Sequence, residues 1–275
     1  MTDVSADLSN RPAGYGVALE CLRLQASQPP RSRLAKLFGF DPVHPDAVSY
    51  LKGTLGEIEV GRTLVRLGPE WTVIHAVPAG SKGRDIDHLV IGPAGVFSLN
   101  TKRHRGKKVW VAGRGLLVAG QRTTHIVKSV AEGKSAVERL SVALGQLVAV
   151  RPVLVIVGAQ SLTIKSRPDE VTVLEDAQLL RWLKKQKTVL DPDVVARLAG
   201  IASDSRTWLD TSSAEFDGTA MTRFADLRRL DTAAFRIRTA WQLFWIAIGV
   251  TLLVTVGPPL LAAIATSFFA AMTPG

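Results

Sequence analysis

Cysteine is almost absent from this chain of 275 residues. Cys21 stands alone, which excludes an internal disulfide framework and a cysteine-based zinc cluster. The chain has no Gly-x-Ser-x-Gly and no Walker motif, and no apolar stretch near Met1 resembles a signal peptide. The histidines show no spacing typical of metal ligands; they are His44, His75, His88, His104 and His125. The common cysteine, zinc and P-loop chemistries are therefore not indicated.

Charge is absent from residues 241–272, which contain no Asp, Glu, Lys or Arg. About 20 apolar residues suffice to cross a bilayer, so this stretch predicts a transmembrane helix. Gly257-Pro258-Pro259 divides it into Trp241–Val256 and Leu260–Met272, which leaves two alternatives: one kinked span or a helical hairpin. Each half is too short to cross alone, and this favours the single span.

The flanks of this stretch predict its orientation. Cationic residues stay on the cytoplasmic side, so the large N-terminal part is expected to be cytoplasmic on a single-pass membrane protein. We also expect Trp241 and Trp245 at the membrane interface, where aromatic side chains are enriched. The same cations predict contact with anionic lipid. They are Arg223, Arg228, Arg229, Arg236 and Arg238.

The formal net charge of +10 indicates a polyanionic partner, either nucleic acid or anionic lipid. A second basic cluster lies far from the apolar stretch in sequence, so lipid does not readily account for it. We expect this cluster to bind nucleic acid. Its members are Lys102, Arg103, Arg105, Lys107 and Lys108.

The chain divides by composition into four segments. Residues 1–46 are rich in Ser, Pro, Arg and Gly and are expected to be poorly ordered, with Val17–Leu24 as a candidate short helix. Residues 47–200 carry the patterns of one folded domain. Residues 201–240 are predicted to be a linker with a basic juxtamembrane part, and residues 241–272 the anchor.

Within residues 47–200, apolar periodicity predicts alternating helices and strands. Helices are predicted over residues 47–67, 125–147 and 176–187, and strands over 71–76, 86–91, 96–101, 109–112, 116–118, 153–157 and 171–174. This order is typical of an α/β domain with a mixed central sheet flanked by helices.

Two neighbouring strands carry the most informative polar residues. Asp85 and Asp87 share one face of the first strand, and Asn100 and Lys102 share one face of the second. A two-residue turn at Pro93-Ala94 would pair residues whose numbers sum to about 187, which places Asp87 opposite Asn100 and Asp85 opposite Lys102. Such a patch suits a hard divalent cation. A solvated cross-strand ion pair between Asp85 and Lys102 is the alternative.

Three stretches together resemble the nuclease-related domain (NERD), part of the PD-(D/E)XK nuclease-like superfamily. They are Gly53-Thr54-Leu55-Gly56-Glu57, the run from Asp85-Ile86-Asp87-His88 through Gly92-Pro93-Ala94-Gly95-Val96-Phe97, and Thr101-Lys102. The resemblance covers residues 50–139 well and the following strand and helix more loosely. It implies a restriction-endonuclease-like fold and a metal-dependent nuclease acting on nucleic acid phosphodiesters.

The resemblance also implies residue roles. Glu57 matches the helical glutamate that supports the metal site, and Asp87 matches the metal-binding aspartate. Lys102 matches the motif lysine, which orients the attacking water and offsets negative charge. Glu132 matches loosely a polar residue from a downstream helix.

Asn100 stands where the motif has its second acid. The implied metal ligands are then Glu57, Asp87 and Asn100, which should hold Mg²⁺ or Mn²⁺ weakly because an amide oxygen brings no charge. Two functions stay open at this point: a membrane-anchored nuclease, or an inactive membrane-tethered module that binds nucleic acid or a protein.

The basic run generates a direct test. Replacing Arg103, Arg105 and Lys107 by Ala should weaken nucleic-acid binding and flatten its salt dependence, by about 0.7 to 0.9 in slope per lost phosphate contact. Filter binding or fluorescence anisotropy over a salt series measures both quantities. Replacement of Lys184, Lys185 and Lys187, an equally basic cluster, serves as the matched control. An unchanged slope in the first variant would mean that the run is only a solvated edge.

Overall fold

The computed structural model describes residues 7–79, 85–208 and 216–272. By internal contacts the chain forms two compact units. The first contains residues 1–26 and 45–224, and the second contains residues 27–44 and 225–275.

Helices and strands follow one another along the chain in a mixed order. The helices are α1 (Tyr15–Gln25), α2 (Arg33–Phe38), α3 (Ala47–Leu64), α4 (His125–Leu144), α5 (Asp176–Lys184), α6 (Pro192–Ser203) and α7 (Ala220–Met272). The strands are β1 (Thr72–Pro78), β2 (Asp85–Gly92), β3 (Gly95–Arg103), β4 (Lys108–Ala112), β5 (Gly115–Val118), β6 (Gln121–Thr123), β7 (Val150–Val157), β8 (Ser161–Ser166) and β9 (Thr172–Glu175).

The strands of the first unit form two mixed sheets. One has the order β1-β2-β3-β7-β9, with β3, β7 and β9 parallel, and the other has the order β6-β5-β4-β8, with β4 and β8 parallel. The mixed α/β class predicted from the sequence is confirmed. The single central sheet is corrected to two, because β4 pairs with β8, a strand that the polar run Ser161–Ser166 did not suggest.

Strand β3 lies at the centre of the five-stranded sheet and is packed on both faces. Phe97 and Leu99 join a buried cluster with Val60 and Leu64 of α3. On the other face, Val96 joins the cluster that contains Ala136 and Leu140 of α4. This two-sided burial explains the nearly continuous apolar run of β3 and fixes both helices against the strand that carries Asn100 and Lys102.

The β2–β3 hairpin has the register that the turn predicts. Gly92 pairs with Gly95, and the antiparallel ladder continues to His88 opposite Leu99. Gly95 lies in the left-handed region at φ 114°, which a glycine adopts without strain. The ladder ends at His88 and Leu99, so the predicted pairs of Asp87 with Asn100 and of Asp85 with Lys102 are not part of it.

Two segments differ from the sequence prediction in their content. Within residues 1–46, the candidate helix Val17–Leu24 falls on α1, whose Ala18 and Cys21 are buried, whereas α2 was not predicted. Residues 201–240 are not simply a linker, because α6 continues to Ser203 and Trp208 is fully buried. Helix α7 also begins at Ala220, ahead of the predicted anchor, while residues 209–215 lie outside the described part.

The second unit is built on α7, a continuous helix of 53 residues that includes Pro258 and Pro259. The hairpin alternative is therefore not observed. This one helix is long and apolar enough to cross a membrane by length and composition. Short helix α2 packs beside it: the Phe38 and Trp241 rings lie 5.0 Å apart, and Trp241 Nε1 donates to the Leu37 carbonyl at 3.0 Å.

Burial of Trp208 can be tested directly. Its indole Nε1 donates to the Ala202 carbonyl at 2.8 Å inside the cluster around α6. Trp208→Ala should lower the free energy of unfolding by about 3 to 5 kcal/mol, since it leaves a large cavity. Urea unfolding followed by circular dichroism measures this loss. Trp110→Ala, at a side chain that is 42% exposed, should cost less than about 1 kcal/mol. Equal losses would contradict the packing described here.

Candidate metal site and its cleft

A cleft of about 1020 Å³ opens beside the end of the β2–β3 ladder. Its walls come from α1, α3, α4 and the ends of the two strands. The charged and titratable lining residues are Glu20, Arg23, Tyr50, Glu57, Asp85, Asp87, Lys102, His125, Lys128 and Glu132. The neutral amide of Asn100 also lines the cleft. The polar residues that the sequence singled out on two strands and a helix thus reach one cavity.

Asp87 marks the point where β3 separates from β2. Its carboxylate Oδ2 accepts the backbone N–H of Thr101 at 2.5 Å. In a continuing ladder that N–H would bond to the β2 backbone, so the side chain takes the place of the strand partner. The bond holds a buried carboxylate at the ladder end and leaves Asn100 and Lys102 free of cross-strand partners on β2.

Asn100 is paired from α4 instead. Its Nδ2 donates to Glu132 Oε2 at 2.5 Å, while the buried Oδ1 has no hydrogen-bond partner among the described residues. An unpaired buried polar oxygen costs about 1 to 3 kcal/mol. Glu132, only loosely matched in the sequence, therefore brings a carboxyl group to the position where the motif acid is missing.

Glu57 is buried on α3 and enters the cleft because this helix approaches β3 closely. The helix faces β3 with Gly56, where an added Cβ would come within 3.0 Å of Arg103 Cβ. The Gly-Glu pair of the sequence thus has a physical reason: the glycine permits the approach and the glutamate uses it.

The acids of the cleft are buried close to one another, which disfavours their ionised forms. Burial raises the pKa of Glu57 well above its usual value, and the Asp87 charge raises it further. Burial, and then Asp87, raises the pKa of Glu132 to about 7. Burial also raises the pKa of Asp87, against the opposing effects of Lys102 and the Thr101 N–H. Three acids thus lie around Lys102, with Lys128 acting on Glu132 as well, and a further positive charge would stabilise their ionised forms.

Lys102 and Asp85 are placed differently from the predicted pair. Lys102 Nζ donates to the Thr101 carbonyl at 3.0 Å. Asp85 lies toward Arg11 and α1, where a Cβ at Gly16 would collide with its carboxylate. Burial raises the pKa of Asp85 to about 6, and Arg11 opposes that shift. The β2–β3 ladder does not reach either residue, so their solvated cross-strand pairing is not observed.

The histidines form two pairs that their sequence spacing did not indicate. His75 and His88 lie opposite each other on β1 and β2 and contact through their Nδ1 atoms at 2.7 Å. His104 and His125 stack with their Nε2 atoms 3.1 Å apart, and His125 lines the cleft. Burial and nearby Lys102 lower the pKa of both rings in this second pair.

The predicted nucleic-acid-binding run begins at the cleft and leads outward. Lys102 and Arg103 are half-buried, whereas Arg105, Lys107 and Lys108 are exposed. Backbone hydrogen bonds hold the run in place: Gly106 N donates to the Gly158 carbonyl and Gln160 N to the Lys107 carbonyl. The run is thus an ordered cationic rim beside the β7–β8 connection, and Lys102 joins it to the cleft.

The donor set is made of oxygen atoms. Over residues 7–79, 85–208 and 216–272, no three Asp, Glu, His or Cys side chains form a ready-made metal cluster. The acids are spread over β2, α3 and α4, with the free Asn100 Oδ1 in the same cleft.

A comparison with known families identifies the domain that carries these residues. Residues 52–157 match the family model of the nuclease-related domain, a range that holds Glu57, Asp87, Asn100, Lys102 and Glu132. The chain contains a nuclease-related domain. This domain is of the PD-(D/E)XK nuclease-like kind, as the three stretches of sequence indicated. Neither a curated protein nor a solved structure matches the chain.

Glu132 provides a stability test within this nuclease-related domain. A carboxyl group whose pKa is raised on folding holds its proton more tightly in the folded state, so stability falls as pH rises from about 4.5 to about 7. Glu132→Gln removes that loss and keeps an acceptor for Asn100. It should raise the free energy of unfolding at pH 8 by on the order of 3 kcal/mol and leave it unchanged near pH 4.5.

Denaturant unfolding across this pH range in EDTA measures the effect. Glu138→Gln, at an exposed position on the same helix, is the matched control and should shift stability little at any pH. If Glu132→Gln were neutral or destabilising at pH 8, Glu132 would not carry the raised pKa.

Proposed function

We propose that this protein is a membrane-anchored, divalent-cation-dependent nuclease that cleaves nucleic acid phosphodiesters. The observation that carries the proposal is the contact of Asn100 with Glu132 in the cleft of Glu57, Asp87 and Lys102. The acid missing from the strand is thereby replaced by one from α4, and the site regains the negative charge that a cation needs.

The residues present fit such an ion. Mg²⁺ and Mn²⁺ prefer carboxylate and amide oxygens, which Asp87, Glu132 and Asn100 Oδ1 provide, with Glu57 in support. The unpaired buried Oδ1 gains a partner if a cation binds. Burial, and then the Asp87 charge, raises the pKa values of Glu57 and Glu132, and a bound cation would oppose that shift. When bound, the ion supplies Lewis-acid stabilisation and a more acidic water. Affinity should be weak near neutral pH, since a proton competes with the cation for Glu132.

The protein's own residues support the rest of the chemistry. Lys102 places an ammonium group beside Asp87, where it can orient an attacking water and offset the charge that grows on the phosphate. The rim of Arg105, Lys107 and Lys108 offers contacts for neighbouring phosphates of the strand. Protons held by Glu132 near neutral pH give the site a group able to release or accept one.

Anchoring is proposed for α7. Its charge-free part, residues 241–272, is about 48 Å long at 1.5 Å per residue, more than a bilayer core of about 30 Å requires. The preceding arginines support a cytoplasmic N-terminal part and contact with anionic headgroups. The proposed nuclease would therefore act on nucleic acid near a membrane surface.

A second function is favoured by the same contact. Asn100 with a protonated Glu132 is a satisfied hydrogen bond that needs no cation. A domain that has lost catalysis could keep this pair as structure and use the basic rim to bind nucleic acid, or another surface to bind a protein. The response to metal separates the two functions.

An exchange of the acid between strand and helix tests the proposal. Glu132→Gln alone should weaken Mn²⁺ or Mg²⁺ binding by about tenfold or more, because it removes a charged ligand. The double variant Asn100→Glu with Glu132→Gln should restore binding, since the carboxylate returns to the motif position. Calorimetric titration measures affinity, and cleavage of DNA and RNA substrates measures activity. Glu138→Gln is the control.

Two results would contradict it. If the double variant bound metal no better than Glu132→Gln, Glu132 would not stand in for the missing acid. If the unaltered protein neither bound metal nor cleaved either substrate, the nuclease proposal would fail and the non-catalytic function would take its place. Asp87→Ala should abolish whatever activity is found, which guards against a contaminating nuclease.

A further inference from the structure

Helix α2 and the two residues after it carry an apolar surface whose three large side chains are exposed: Leu34 at 66%, Leu37 at 54% and, just beyond the helix, Phe40 at 52%. Leu34 and Leu37 are three positions apart and therefore share one face of the helix. Arg33 and Lys36, also three apart, are exposed beside them. A short amphipathic helix with basic residues next to its apolar face suits the surface of an anionic bilayer.

The helix is held in a defined place on α7. Arg238 Nη1 donates to the Gly39 carbonyl at 2.9 Å, and Trp241 Nε1 donates to the Leu37 carbonyl. Gly39 ends α2 at φ 73° and touches the α7 backbone so closely that a Cβ would collide with the Ala234 carbonyl. A helix of six residues is not stable alone, so these contacts fix it.

Helix α2 is attached to α7 at the point where the charged residues of α7 end. Arg238 is the last charged residue before the charge-free stretch, and Trp241 is its first residue. Beyond it the exposed apolar side chains continue along α7 with Leu243, Phe244, Trp245 and Ile246. The apolar face of α2 is thus continuous with the start of the stretch that enters the membrane if α7 spans it.

We infer that α2 is a membrane-surface helix. Its Leu34 and Leu37, with Phe40 just beyond its end, insert among anionic lipids while Arg33 and Lys36 contact the headgroups. The inference rests on the membrane anchoring proposed for α7 and not on the nuclease chemistry. No ion pair occupies Arg33 or Lys36 within the part of the chain that the structure describes, so both are available to phosphate. The helix would act as a collar that fixes the depth of the anchor.

Depth measurements on the full chain in vesicles test this inference. Cys21→Ala leaves the chain without a native thiol, so that Leu34→Cys, Leu37→Cys and Arg33→Cys each accept one nitroxide label. In vesicles of equal parts phosphatidylcholine and phosphatidylglycerol, labels at positions 34 and 37 should collide several-fold more with lipid-dissolved oxygen than with a water-soluble nickel complex. The label at position 33 should show the reverse preference.

The alternative outcomes are distinct. If the chain floats with the vesicles but positions 34 and 37 are open to nickel, α2 is not a surface helix although the anchor holds. If both positions are shielded from both reagents, a protein surface covers them and the inference is wrong. If the chain does not float, the anchor itself fails, and the inference fails with it. Equal depth in pure phosphatidylcholine would overturn the preference for anionic lipid.

A charge-insertion variant completes the test. Leu34→Glu with Leu37→Glu should leave flotation intact and move a label at position 40 into water. Val65→Glu with Val142→Glu, at exposed apolar side chains of the other unit, is the matched control and should leave that label in lipid. The same position for the label in both variants would overturn the inference.

Discussion

The hydrogen bond from the Thr101 N–H to the Asp87 carboxylate is the interaction on which the cleft depends. It ends the β2–β3 ladder in a satisfied way, because the backbone donor of a separating strand still has an acceptor. Separation of the strands gives Asn100 and Lys102 a cavity instead of a strand partner. It also gives α4 access to Asn100 through Glu132. The gathering of the cleft's acids around Lys102 thus follows from one local change in strand pairing.

Burying several carboxyl groups around one lysine costs stability as long as no cation is present. The raised pKa values of Glu57 and Glu132 express that cost, which protons relieve in the absence of metal. This constraint gives a physical reason for the site proposed above. A cation bound there needs a carboxyl group at a position in space that both β3 and α4 reach. Asn100 would then be the neutral partner that holds the Glu132 carboxyl group.

The sequence predicted those parts of the fold that depend on neighbouring residues. Gly92-Pro93-Ala94-Gly95 determined the β2–β3 register as far as His88 and Leu99. The end of the ladder could not be predicted, because it depends on a side chain replacing a backbone acceptor. Proximity of Glu132 to Asn100 could not be predicted either, since packing of α4 on the sheet decides it. Strand β8 was missed because its polar residues are mostly exposed and only its pairing with β4 makes it a strand.

Helix α2 could not be predicted for the same reason, because residues far away in the sequence hold it in place. Six residues carry too little periodicity to stand out from a segment rich in Ser, Pro and Arg, and their helical state depends on Arg238 and Trp241 about two hundred positions later. Composition predicted residues 1–46 and the anchor, residues 241–272, as separate segments. Contacts instead join residues 27–44 with residues 225–275 as one unit. Because Gly39 permits backbone contact with α7, the apolar side chains of α2 lie beside the first residues of the charge-free stretch. A membrane that takes up the apolar side chains of α2 would therefore meet the start of the charge-free stretch of α7 at the same depth.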